Sequence, residues 1–257
     1  MKYTYYYDEV LASAFKLAET NGYIDSVKKI QNQVPKTKCE CCGNCCMDSP
    51  NAYFVEFLLF FREFKQLSKE QTKNIIVKTI DWLLLSLKNS QFQCPLIDEN
   101  KKCSIYEIRP LNCRTWGFES KEQFEYNYEN NIKQQNEEFR KFYKTNYDID
   151  IEEPPRIDYC DKVIKVDNRP FSQNDINDMH KRIIKMDSKF VNRQIIKHMC
   201  YQPLPVHLGV FIQAKCKITW DEWALLRVQI LRELNENNFS KTYESTKERI
   251  IKGLNLD

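Results

Sequence analysis

Glycine is scarce in this chain: five residues in 257, at positions 22, 43, 117, 209 and 253, against about 7% in ordinary proteins. A dinucleotide-binding turn or a phosphate loop needs clustered glycines where backbone amides approach phosphate. No two of these five lie close enough, so motif-dependent NAD and ATP chemistry is disfavoured. Histidine is scarcer still, with only His180, His198 and His207, and there is neither an HExxH pair nor a Ser–His–Asp order. Long apolar runs are also missing. The longest, 53–61 and 75–87, are interrupted by Glu56, Lys78 and Asp81 and fall short of the roughly 20 residues that cross a bilayer. No charge of one sign dominates: 39 Lys and Arg face 36 Asp and Glu, too even a balance to steer the whole molecule to nucleic acid or to a membrane. The opening MKYTYYYDEV lacks an apolar core and a small-residue cleavage site, so a cytoplasmic location without membrane attachment is expected.

Cysteine is what the chain does have. Eleven are present, five of them in CECCGNCC at 39–46. A chain of this length buries a core without disulfides, and in a reducing compartment clustered thiols are metal ligands or redox groups. The useful spacing is Cys39-x2-Cys42-x2-Cys45-Cys46. Two-residue gaps let one turn of backbone direct successive thiolates at a common centre, and Gly43 supplies that turn. Cys41 is additional, and adjacent Cys41 and Cys42 do not easily face one metal. Further on, CPLIDENKKCSIYEIRPLNCR carries Cys94, Cys103 and Cys113.

The rest reads as helices, giving a mainly α fold with cysteine-bearing loops. An amphipathic helix over 8–21 closes at Asn21-Gly22, and an aromatic one covers 51–66. Ser68-x-x-Gln71 is a capping box for a helix to Leu87. Ser104-x-x-Glu107 is expected to cap a single turn ending before Pro110, and Ser120-x-x-Gln123 a polar helix to about Tyr143. The EEPP at 152–155 is the expected boundary between a cysteine-cluster domain, 1–153, and a helical domain or extension, 154–257. Beyond it, helices are expected over 173–199, 220–236 and 241–252, with strand signals at VIKV 163–166 and HLGVFI 207–212.

On these cysteines the chain resembles the YkgJ-like cysteine-cluster family, described as a zinc- or iron-chelating domain and named for the pattern CxxCxxCC. It matches at Cys39, Cys42, Cys45 and Cys46, then at Cys94-Pro95-Leu96, Cys103-Ser104-Ile105-Tyr106 and Arg109-Pro110-x-x-Cys113-Arg114. The resemblance implies a metal-binding core that extends past these seven cysteines, and the eighth position falls to Cys160, the next along the chain. Seven or eight thiolates exceed the four that one ion or one cluster takes, so either two sites exist or some thiols are not ligands. The spaced triplet with a remote Cys94-Pro95 is similar to a bacterial ferredoxin arrangement and favours an iron–sulfur cluster or iron, with zinc as the alternative. Arg109 and Arg114 are expected to offset thiolate charge, and Tyr106 to be a core aromatic.

Two weaker signals lie beyond EEPP. His198-x-Cys200, with His207 and Cys216, could form a second mixed site, although a helix-face histidine and buried thiols are the plainer reading. Lys181, Lys185, Lys189, Arg193 and Lys197 trace a basic stripe, a solvated face or a seat for an acidic partner. The expectation is a metal-binding protein performing redox or modification chemistry, with an unknown substrate or electron donor. The alternatives are a zinc-stabilised binding module using the basic helix, and metal storage or delivery. No motif assigns a catalytic residue.

Overall fold

In the computed structural model of the protein, residues 7–38, 40, 42–47, 49–88, 93–167, 169–190 and 201–256 are described. The fold is mainly α. Helix α1 (Tyr7–Thr20) is followed at once by α2 (Tyr23–Gln31), which the sequence reading passed over. The junction is Gly22, whose left-handed φ of 64° lets its amide bond the Glu19 carbonyl at 3.0 Å. One glycine thus ends the first helix and starts the second. Strand β1 (Thr37–Lys38), a 3-10 turn (Asn44–Cys46) and β2 (Asn51–Tyr53) lead to α3 (Phe54–Phe64) and α4 (Lys69–Leu85). The expected capping box of α4 forms: Ser68 Oγ accepts from the Gln71 amide, and the Gln71 side chain accepts from the Ser68 amide.

A 3-10 turn (Tyr106–Ile108), α5 (Leu111–Thr115), α6 (Lys121–Asn127), a π-helical turn (Tyr128–Ile132) and α7 (Lys133–Tyr147) come next. The chain then runs through β3 (Ile164–Lys165), α8 (Gln173–Asp187), β4 (Tyr201–Pro203), α9 (Leu204–Lys215), α10 (Trp220–Asn237) and α11 (Lys241–Gly253). Two antiparallel pairs tie distant segments together. β1 pairs with β3, Thr37 opposite Lys165, and β2 pairs with β4, Asn51 opposite Pro203.

Some expectations change. HLGVFI lies inside α9 rather than in a strand, because Pro205 opens a helix there and the run is buried nearly all round; a short apolar run fits either state. Ser104 does not cap the turn after it, since its hydroxyl donates to the Leu96 carbonyl at 2.7 Å. Pro110 begins a helix, α5, as well as ending a turn. The helix expected over 173–199 is seen to Asp187, and 191–200 lie outside the described residues.

Helix α3 is the centre of the molecule. Phe54, Phe57, Leu58, Leu59 and Phe60 are at most 1% exposed, and the rings pack with centroids 5.5–6.1 Å apart. Residues on both sides of 153, from Leu11 and Ile24 to Leu208, Ile230 and Ile250, share the same buried core. Among the described residues no helix is long and apolar enough to cross a membrane.

Two buried carboxylates hold the start of α3. Glu56 is 2% exposed and accepts from the Tyr53 amide at 3.0 Å, the Gln31 side chain at 2.9 Å and the Leu111 amide at 2.7 Å. It therefore fastens α2 and α5 to α3. Asp187, at the end of α8, accepts from the Val55 amide at 2.8 Å. Burial raises the pKa of Glu56, and that of Asp187 to about 7.

Candidate metal centre

Three separate segments converge on one cavity of about 130 Å³, lined by Cys42, Cys45, Cys46, Cys103, Cys113 and Cys160. The first segment is the opening cysteine block. Gly43, at φ 78°, turns the backbone after Cys42 so that Asn44–Cys46 forms its 3-10 turn. A Cβ there is disfavoured by conformation, and it would also meet Lys101 and Gln93 at about 3.5 Å. The second segment joins the first directly, because the Cys94 amide donates to the Cys46 carbonyl at 2.6 Å. A tight turn then brings the chain back to Cys103, with Asp98 Oδ1 accepting from the Asn100 and Lys102 amides, both at 2.8 Å. Helix α5 presents Cys113, and its first amide, that of Leu111, is held by Glu56.

The third segment arrives through strand pairing. β3, just beyond Cys160, pairs with β1, just before the cysteine block. Gly117, at φ 78°, allows close approach on the other side: a Cβ there would come within 2.5 Å of Val163 and 3.1 Å of the Cys160 carbonyl. Glu40 and Lys162 add an exposed, solvent-screened ion pair at 3.1 Å across the same seam, which contributes little.

Of the eight cysteines expected at a metal, six therefore line the cavity. Cys94 packs behind it, with its Sγ 3.7 Å from Ser49 Oγ and its charge felt at Cys46 and Cys113. Cys39 lies outside the described residues, as does Cys41. None of the eight described cysteines is in a disulfide, and all are part-buried.

The electrostatics are those of crowded thiols beside a guanidinium. Cys45 and Cys46 stand 4.0 Å apart, Sγ to Sγ. The hydrogen bond between them lowers the Cys45 pKa to about 7, with further help from Arg109, while Cys46 is pushed up. Burial and the neighbouring thiols raise Cys113. Arg109 stacks over the Tyr106 ring, its carbon 4.0 Å from the ring centre. Its Nε is buried and has no hydrogen-bond partner among the described residues. Arg114 acts one step back, donating through Nε to the Arg109 carbonyl at 3.0 Å and through Nη2 to the Glu107 carbonyl. Tyr106 is not a core aromatic but part of the cavity wall, beneath Arg109. Trp116, Tyr159, Lys101 and Lys162 also line the cavity. The sequence reading missed these four; Trp116 was the most legible, three residues beyond Cys113.

The donor set fits a thiophilic metal. Soft thiolates select zinc, copper(I) or iron–sulfur centres, and five basic against three acidic side chains around the cavity offset thiolate charge. As placed, no three His, Cys, Asp or Glu side chains among the described residues stand close enough to hold an ion. The thiols share a cavity without forming a coordination polyhedron.

Among the described residues the second, mixed site does not assemble. His207 is fully buried, stacked on Phe57 with centroids 5.1 Å apart, and its Nε2 lies 3.2 Å from the Ala52 carbonyl. Burial lowers its pKa to about 4, so it is neutral. Cys216 donates to the Ile250 carbonyl at 3.8 Å. The two are nine positions apart at the two ends of α9, about 13 Å along the axis, too far to share an ion. His198 and Cys200 lie outside the described residues. His180 sits elsewhere, with Nδ1 3.0 Å from the Tyr53 hydroxyl.

Residues 38–132 match a family model, CxxCxxCC, whose description reads "Putative zinc- or iron-chelating domain". The match contains every cysteine of the two motif blocks but not Cys160, and covers less than half of the chain. No curated protein and no solved structure matches the sequence. The metal-chelating character of this region thus has support from the family model and from the gathered thiols alike.

Proposed function

We propose that the thiol cavity holds an iron–sulfur centre, and that the protein carries out redox or modification chemistry in a reducing, cytoplasmic setting. One observation carries this reading: six thiols from three segments line a single cavity of about 130 Å³. A lone tetrahedral ion takes four thiolates and needs far less room, since a cavity of about 10–15 Å³ by the same measure already holds a water molecule. A cluster also takes four thiolates but uses more of the space, leaving two of the six thiols outside its ligand set.

The ligands would be drawn from Cys42, Cys45, Cys46, Cys103, Cys113 and Cys160, with Cys39 and Cys94 as the remaining candidates. When bound, such a centre supplies one-electron chemistry or Lewis acidity. The chain's own part is to hold and tune it. The hydrogen bond with Cys46 and the nearby Arg109 hold the Cys45 pKa at about 7, which suits it to bind as a thiolate. Arg109 offers a donor Nε with no protein partner among the described residues, suited to a sulfur acceptor. Glu56 and Arg114 fix the backbone that leads into Cys113, at Leu111 and at Glu107 and Arg109.

The test is to purify the protein without oxygen and measure iron, zinc and acid-labile sulfide per chain. Iron with matching sulfide is expected. Stoichiometric zinc without sulfide would replace this reading with a zinc-stabilised module, and the basic face of α8 would then become the first surface to probe for an acidic partner.

A further inference from the structure

A second and larger cavity, about 580 Å³, lies against the thiol cavity, and Trp116 lines both. Met47 and Asn112 also line it, the immediate chain neighbours of Cys46 and Cys113. Its volume falls in the usual range for a small-molecule site. The far wall is the helix that contains the π-helical turn Tyr128–Ile132. That extra residue per turn re-aims the helix so that Asn127, Tyr128, Ile132 and Asn136 all reach the cavity, and π-turns recur at functional sites.

The lining has a definite chemistry. Aromatic rings come from Trp82, Trp116, Phe139 and Tyr201, and carboxylates from Glu119 and Glu152. Among the described residues that line it there is no lysine and no arginine. His180, the other titratable base there, has its pKa lowered by burial and is neutral. Glu119 is part-buried, its carboxyl raised by desolvation, with no cation among the described residues to compensate it. A ring wall with an uncompensated carboxylate is what an organic cation binds to. The chain already uses this pairing at the rim, where the Arg156 guanidinium lies 4.6 Å from the Tyr128 ring centre and pairs with Glu125.

We infer that this cavity binds a small organic cation, an amine or quaternary ammonium carried on an apolar or aromatic body, and seats it beside the thiol centre. The role of that ligand as substrate rests on the metal reading above; its binding does not.

The experiment is calorimetric titration of the full-length, anaerobically purified protein with benzyltrimethylammonium, benzyl alcohol and phenylacetate, with metal measured on the same sample. The ammonium is expected to bind at least about tenfold more tightly than the neutral or anionic probe, a gap of about 1.4 kcal/mol. Glu119→Gln should weaken the ammonium by about tenfold while leaving metal content and thermal unfolding unchanged. Phe139→Ala, at a position 41% exposed and so tolerant of truncation, should weaken it several-fold. Equal affinity for all three probes, tighter phenylacetate, no heat with the ammonium, or an unchanged affinity in both variants would overturn the inference. A preparation without metal that still selects the ammonium would uphold it and count against the metal reading alone.

Discussion

Helix α3 and the cysteine loops lie side by side and are ordered in opposite ways. In α3 every turn is buried, with Phe54, Phe57 and Phe60 at most 1% exposed, and its polar start is closed by Glu56 and Asp187. The cysteine region has a two-residue strand, a 3-10 turn of three residues and a five-residue helix. Its thiols are part-buried and face an opening. Elements that short have almost no intrinsic stability. The first region is held by the hydrophobic effect and is complete as it stands; the second is held at its edges by the first, and on the reading proposed above its centre is completed only by a bound metal.

The sharpest way to break this contrast is in the core. Phe57→Ala should cost about 3–5 kcal/mol, read as a fall in the denaturation midpoint, and should lower metal content only in proportion to the unfolded fraction. Glu56→Ala comes next. It orphans the Tyr53 and Leu111 amides and the Gln31 side chain, costing roughly 3 kcal/mol at the low end of 1–3 kcal/mol per buried orphan. Because Leu111 opens the helix of Cys113, this variant should also lose metal in molecules that remain folded, unlike Phe57→Ala.

Cys45→Ala and Cys113→Ala reverse the pattern. Each should lose metal, yet in metal-free protein each should move stability by about 1 kcal/mol or less, since neither thiol is in the core. Full metal occupancy in either variant would remove that cysteine from the ligand set.

The core also predicts a pH signature. Asp187 is raised from 3.8 to about 7, so the native state keeps a proton that the unfolded chain releases, and stability from this group falls as pH rises from about 4 to about 7. Glu56 acts in the same direction. His207 is lowered from 6.5 to about 4, so the unfolded chain takes up a proton that the native state refuses, and its contribution rises from pH 4 to pH 6.5. These slopes oppose each other in wild type. Asp187→Asn should remove one of them, so that chemical denaturation shows stability rising more steeply between pH 4.5 and 6.5 than in wild type. Smallest of all, charge reversal at the exposed Lys181, Lys185 and Lys189 should change stability by less than about 0.5 kcal/mol and leave metal content untouched.

The contrast also sets what the sequence disclosed. Helices with local signals were legible: the Ser68 and Ser120 caps, the Gly22 turn and the aromatic density of α3 are each written within a few residues. α2 was hidden because it is short and follows a glycine that the eye reads as an end. The helical state of 207–212 was hidden because burial on every side erases periodicity. At the site, the two cysteine blocks were visible as spacing, and VIKV gave part of β3. That β3 pairs with β1, bringing Cys160 to the cavity, depends on contacts over more than 120 positions and leaves no local trace. The second cavity was invisible for the same reason.

The most direct test of the central claim, that coordination and not burial orders the cysteine loops, is amide hydrogen exchange on protein with its metal and after chelation. Exchange should quicken on metal removal in segments 42–47, 101–118 and 158–165 while α3 keeps its protection. Equal exchange in the two states across those segments, or a loss of protection in α3 as large as that in the loops, would contradict it.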